Sequence, residues 1–240
     1  MKPLAAEFGF AYMPFYDDST GFQQAALRGS GRRALVLTDR DDIAWDGLPA
    51  FRGSHFIRDP RDMVVSGYFY HLWTEEAWCR SPDFDWDYFT ALPAFQWVEP
   101  DASKWPRNIS YQTYLNSLDL ERGLLMEMVS RERTFQQMRR WNFERPGVME
   151  FRYEKIIGNE EAEFERLFDH YGFNADAKAR GLELVRTLSL KNLDKVDKTH
   201  VRSGDPGQWR DHFTPRVNSL FKQSQGNLLI RLGYEPDDAW

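Results

Sequence analysis

An arginine, a helix start and a serine lie close together in the run Phe56-Ile57-Arg58-Asp59-Pro60-Arg61-Asp62-Met63-Val64-Val65-Ser66-Gly67-Tyr68-Phe69-Tyr70-His71. Such a set suits gripping an oxyanion. A guanidinium offers a planar fork of donors, the backbone N–H groups that open a helix have no partner within it, and a hydroxyl can add a further donor. The elements that must hold these groups follow from the same residues. His55 to Ile57 reads as a buried strand, Arg58 to Asp62 as a charged turn, and Met63 to Leu72 as an apolar helix. Asp59 suits the N-cap, Pro60 the first helical position, and Asp62 the third residue of a capping-box-like pair. Arg58 then stands at a strand's carboxyl end beside a helix N-terminus, where open α/β sheets bind ligands. Arg61 reads as a helix-surface cation.

Two further segments bear on the same chemistry. Residues 202–214 read Arg-Ser-Gly-Asp-Pro-Gly-Gln-Trp-Arg-Asp-His-Phe-Thr, and residues 151–154 read Phe-Arg-Tyr-Glu. Together with the first run, in this order, they resemble the cytosolic-type sulfotransferases, which take a sulfuryl group from 3'-phosphoadenosine-5'-phosphosulfate. The resemblance implies that Arg58 and Ser66 meet the donor's 3'-phosphate, and that Arg202 and Gly204 reach the same phosphate from a C-terminal loop. Ser203 stands where the family has a lysine. Tyr153 is implied as an adenine contact, and Trp209 as an anchor or contact of the loop. The implied fold is α/β, a P-loop NTPase-like three-layer sandwich with a central parallel sheet of about four or five strands and helices on both faces. The acceptor implied is the hydroxyl of a small molecule.

Sulfuryl transfer needs a gripped donor, an acceptor hydroxyl in line with sulfur, a proton acceptor, and cations for the charge that develops on the leaving oxygen. For the proton acceptor the candidates are Asp39 and Asp41, in the segment after the strand 34–38, and His71 at the end of the motif helix. His55 reads as buried scaffold. His170, His200 and His212 are scattered, and no spacing of His, Cys or carboxylates calls for a metal. The family's phosphate loop, which follows the first strand, has no counterpart here. Arg28-Gly29-Ser30-Gly31-Arg32-Arg33 precedes a strand rather than following one. The expectation is a chain that begins roughly 20–40 residues into the family's domain. Two alternatives stay open: a nucleotide-binding relative without activity, and a P-loop-type kinase.

The whole chain is consistent with one domain over residues 1–240. A net charge of −6 disfavours nonspecific nucleic-acid binding. No apolar run is long enough for a membrane span, and the N-terminus does not resemble a signal peptide. A cytoplasmic protein is expected, as is association into homo-oligomers through an unpaired sheet edge. The lone Cys79 reads as inert. The 18 Phe and nine Trp suggest an aromatic-lined acceptor pocket over 68–105, favouring an apolar or ring-bearing acceptor. Residues 3–9 and 19–28 read as helices, 34–38 as a strand, and 73–108 as irregular with a short helix near 86–91. One long helix is expected from the stripe Leu120, Leu124, Leu125, Met128, Val129, Phe135 and Met138. A strand at 147–151, helices at 160–171, 176–190 and 215–232, and a loop at 191–208 that orders on donor binding complete the reading.

Overall fold

The computed structural model describes residues 1–16, 18–28, 34–48, 50–189 and 204–240. In chain order they form α1 (Lys2–Glu7), β1 (Ala11–Phe15), α2 (Ser19–Arg28), β2 (Ala34–Thr38), β3 (Gly53–Ile57), α3 (Pro60–His71) and α4 (Ala77–Arg80). There follow α5 (Trp86–Thr90), α6 (Phe95–Val98), α7 (Tyr111–Asn116), α8 (Leu120–Ser130), α9 (Glu132–Arg140) and β4 (Val148–Arg152). The chain closes with α10 (Tyr153–Ile156), α11 (Glu160–Tyr171), α12 (Ala175–Leu188), α13 (Trp209–His212) and α14 (Pro215–Leu232). The backbone groups into two compact units. One comprises the described residues of Met1–Ile57 and Arg140–Lys198, the other those of Arg58–Arg139 and Thr199–Trp240.

The first unit carries the strands, all paired in parallel, so the α/β class stands. β1 runs beside β2 from Ala11↔Ala34 to Phe15↔Thr38, and β3 beside β4 from Gly53↔Val148 to Ile57↔Arg152. Among the described residues these are two separate two-stranded ladders rather than one continuous sheet. β1, which the sequence analysis does not include, carries Pro14. Proline lacks the N–H that a central strand needs and is tolerated at an edge. Helix α11 ends on Gly172 at φ +74, the left-handed C′ position its sequence predicts. Its Phe168 ring lies where a side chain on Gly181 of α12 would stand, so that glycine permits the close helix contact.

The second unit is built on α3. Val64 and Val65 from α3 are buried, as are Leu124 and Leu125 from α8 and Phe221 and Leu229 from α14. The long helix expected over 120–138 is broken at Arg131 into α8 and α9. At the break the Ser130 hydroxyl donates to the Glu127 carbonyl at 3.0 Å, beside the Arg131 N–H that the same carbonyl accepts at 3.1 Å, a back-bond of the kind that bends helices. The 73–108 stretch is less irregular than its sequence suggests. It holds α4, α5 and α6, and Asp85 caps α5 by accepting from the Tyr88 N–H.

The α3–α8 contact depends on a missing side chain. A Cβ on Gly123 would lie 2.2 Å from Cε2 of Tyr68. Gly123→Ala should therefore destabilise the protein. Overpacking costs about 1–3 kcal/mol, set against a helix-propensity gain of about 1 kcal/mol. Urea unfolding measures the balance, and a variant more stable than the parent would refute this packing.

Candidate functional site

The turn that opens α3 is organised by buried charge. Asp59 is the N-cap, accepting from the Arg61 N–H at 2.9 Å, and Pro60 takes the first helical position. The same carboxylate is forked by the Arg61 side chain, Nε to Oδ1 at 3.0 Å and Nη2 to Oδ2 at 2.8 Å. Two expectations are corrected here. Arg61 is not a surface cation: it is 1 % exposed. Its Nη1 donates to Glu235 at 2.5 Å, and its guanidinium lies 3.8 Å from the Trp209 ring centroid and 4.8 Å from that of Trp240. Nor does Asp62 complete a capping box. Its Oδ2 accepts from the Gly207 N–H at 2.6 Å and its Oδ1 from the Trp209 N–H at 3.0 Å. A carboxylate that can reach two orphan N–H groups of a distant turn satisfies more donors there than at its own helix end.

Arg58, Ser66, His71 and Gly204 belong to the second unit. Arg58 immediately precedes the cap and is half-buried. Ser66 is exposed on α3, and its hydroxyl makes no hydrogen bond among the described residues. Gly204 adopts φ +76 at the start of the turn that Asp62 holds. Arg202 and Ser203, and most of the loop at 191–208, lie outside the described residues. Asp39, Asp41 and Tyr153 belong to the first unit. Tyr153 follows β4 directly, as the first residue of α10. Asp39 is exposed. Asp41 is occupied, its two oxygens accepting from Arg140 Nε at 2.9 Å and Nη2 at 3.2 Å. With Asp42, Arg140, Trp141 and Arg145 it lines a cleft of about 340 Å³. His55, expected as buried scaffold, is half-buried instead. It shares a bond of 2.6 Å with its cross-strand neighbour Glu150 and packs against Trp141 at 4.1 Å between ring centroids, tilted by 30°.

His71 faces the interior of its unit. Its Nδ1 lies 2.5 Å from Oε1 of Glu127, a carboxylate wholly removed from solvent. Tyr111 donates its hydroxyl to the same Oε1 at 2.6 Å, and Arg131 Nε lies 3.5 Å from Oε2. Burial alone would push the Glu127 carboxyl up, but His71, Arg131 and the Tyr111 hydroxyl together hold it below its ordinary value. Burial, and then the Glu127 charge, push Tyr111 well up. Nearby Cys79 is pushed up to about 12, chiefly by burial and then by Glu127 and Glu76, which leaves it a thiol at neutral pH. Sequence reasoning passed over Glu127. The available signal was a lone carboxylate inside the apolar run Leu124-Leu125-Met126-Glu127-Met128-Val129, since a charge there must be paired. No group of three or more metal-ligating side chains gathers among the described residues.

Comparison with known proteins follows this geometry. The sulfotransferase domain family matches residues 55–232. Among solved structures, a mouse sulfotransferase, SULT7A1, crystallised with PAP, is similar with a TM-score of 0.44 and 13% identity over 91% of this chain and 75% of its own. No curated protein matches.

The Glu127 cluster gives a stability prediction with a definite sign. A carboxylate whose folded value is depressed contributes stability above its ordinary value of 4.5, and that contribution is lost as pH falls through the lower folded value. Glu127→Gln should cost about 1–3 kcal/mol at neutral pH, because the groups that converge on the buried carboxylate lose their charged acceptor. The gap in unfolding free energy between parent and variant should narrow below pH 4.5. A gap that is constant from pH 7 to 3 would contradict the assignment.

Proposed function

The chain belongs to the sulfotransferase domain family, and on that premise we propose that it moves a sulfuryl group from 3'-phosphoadenosine-5'-phosphosulfate to the hydroxyl of a small acceptor. The observation that carries the donor assignment is the α3 entry. Asp59, capping α3 and bonded to Arg61, fixes the turn that Arg58 enters, and Ser66 farther along the helix keeps an exposed hydroxyl with no hydrogen bond among the described residues. A half-buried guanidinium beside a helix N-terminus, with a hydroxyl donor along the same helix, suits a dianionic phosphate such as the donor's 3'-group.

In the proposed reaction the acceptor oxygen attacks sulfur while the bond from sulfur to the bridging phosphate oxygen breaks. The acceptor's proton passes to a base, and 3',5'-adenosine bisphosphate leaves with the bridging electron pair. The protein's part is positioning and electrostatics rather than covalent chemistry. His71 is the best-equipped base of the three candidates. Glu127 holds its Nδ1, the kind of orienting contact that general bases use. Asp41 is engaged by Arg140, and Asp39 is exposed in the segment after β2. Trp78 lies 5.0 Å and Tyr70 5.5 Å from the His71 ring, centroid to centroid. Trp73 and Trp78 are about half exposed, at 50% and 46%. These rings favour an apolar, ring-bearing acceptor.

Calorimetry with 3',5'-adenosine bisphosphate, 5'-AMP and ATP tests the donor site. Binding that depends on the 3'-phosphate is expected. Arg58→Ala should weaken it at least about 30-fold, the lower end of the ~2–5 kcal/mol that follows truncation of a buried charge pair. Unchanged affinity in that variant removes Arg58 from the site. Nucleotide binding with no transfer to phenolic or alcoholic acceptors makes the protein a binder rather than an enzyme, and phosphate transfer from ATP makes it a kinase.

A further inference from the structure

Arg61 and Asp62 are consecutive, both 1 % exposed, and neither serves its own helix alone. Each reaches a stretch of chain more than a hundred residues away. Asp62 accepts the Gly207 and Trp209 N–H groups, one on each oxygen, across sequence separations of 145 and 147 residues. Arg61 lies over the ring of that same Trp209 and also over Trp240, and bonds Glu235. The turn they hold has little freedom to slide. Gly207 sits at φ +82, and a Cβ there would lie 2.7 Å from Nη1 of Arg210. The turn therefore needs glycine at 207, an N–H aimed at Asp62, and an aromatic ring two residues later beneath Arg61.

We infer that Asp62, assisted by Arg61, is a positioning residue for donor binding. It clamps the turn from Gly204 to Trp209 onto the first turn of α3, and so sets the distance from that turn to Arg58, four residues before Asp62. The inference rests on the donor reading above and adds to it a residue that touches no donor atom. A phosphate held between two chain segments demands a fixed separation between them. A carboxylate accepting two backbone N–H groups fixes that separation more rigidly than a contact between side chains, because neither donor has rotamers of its own. Asn cannot replace it. With its oxygen in the place of one carboxylate oxygen, its amide nitrogen turns donors toward the N–H that the other accepted.

The test combines nucleotide affinities with amide exchange. In the wild-type protein, the Gly207 and Trp209 amides should be protected from hydrogen exchange to the same degree as α3, with no nucleotide present. Exchange at the rate of an open loop overturns the clamp. Asp62→Asn should weaken 3',5'-adenosine bisphosphate about 10–100-fold, the scale set by displacing a binding group by about 1 Å. It should leave 5'-AMP within about threefold, since only the 3'-phosphate spans the clamped segments. Gly207→Ala, which strains the other side of the same contact, should repeat that split. An Asp62→Asn protein that is folded by circular dichroism and keeps the full 3'-phosphate preference overturns the inference. If Asp62→Asn does not fold, Gly207→Ala and the wild-type amide protection decide in its place. Wild-type protein that does not discriminate 3',5'-adenosine bisphosphate from 5'-AMP instead brings down the donor reading, a separate result visible before any variant is made.

Discussion

Three charged side chains on one helical turn, Asp59, Arg61 and Asp62, are buried to 6%, 1% and 1% exposure, and the second unit is arranged around satisfying them. Removing a charge from water is unfavourable by several kcal/mol even after relaxation. The turn is stable only where each charge finds donors or acceptors of good geometry. Asp59 finds them locally, in the Arg61 backbone and side chain. Arg61 needs more than one carboxylate and obtains it from Glu235, 174 residues along the chain, with two indole faces completing its surroundings. Asp62 has no local donor that matches what Gly207 and Trp209 offer. The C-terminal segment is thus bound in by the charges of α3 as much as by apolar contact.

The Glu127 cluster solves the same problem differently. There a single carboxylate meets an imidazole and a phenol at one oxygen, with a guanidinium 3.5 Å from the other. Gly67 belongs to this solution. A Cβ on it would lie 2.4 Å from Glu127 Oε2 and from Arg131 Nη2, so the helix carrying Ser66 and His71 approaches α8 only because position 67 is bare. Both clusters hold α3 from opposite ends, one at its first turn and the other at His71. A helix fixed at both ends presents Ser66 from a rigid element, which suits a binding group better than a loop does.

The local grammar of this helix was legible in the sequence: the Asp59 cap, the Pro60 start and the strand before them depend on neighbours within a few residues. So was the Gly172 terminus of α11. What could not be read is where a side chain goes when two destinations compete. Asp62 obeys the capping-box spacing, and local rules alone place it there. The donors that claim it are far away in sequence and become visible only once the chain is folded. Arg61 misleads for the same reason, since charged residues are rarely buried and its aromatic partners Trp209 and Trp240 lie at the other end of the chain. The 120–138 stripe has helical spacing throughout, yet the Ser130 hydroxyl bond marks an interruption that periodicity does not register. β1 contains Pro14, a residue that argues against strands unless the strand is an edge.

The clamp also changes what the C-terminal motif is evidence of. The spacing Gly204-x-x-Gly207-x-Trp209 resembles a donor-binding signature, but two of its three fixed residues have structural explanations that involve no ligand. Gly207 is required by its positive φ and by the N–H it gives Asp62, and Trp209 by the Arg61 guanidinium above it. The motif therefore reports the architecture that holds a loop to α3, and would persist in a relative that had lost the chemistry. Evidence for the chemistry must come from groups that the fold does not need. Ser66 is one, with an exposed hydroxyl that bonds to no described residue. The burden of the functional argument shifts accordingly from the conspicuous glycines and tryptophan to Ser66 on the helix they brace.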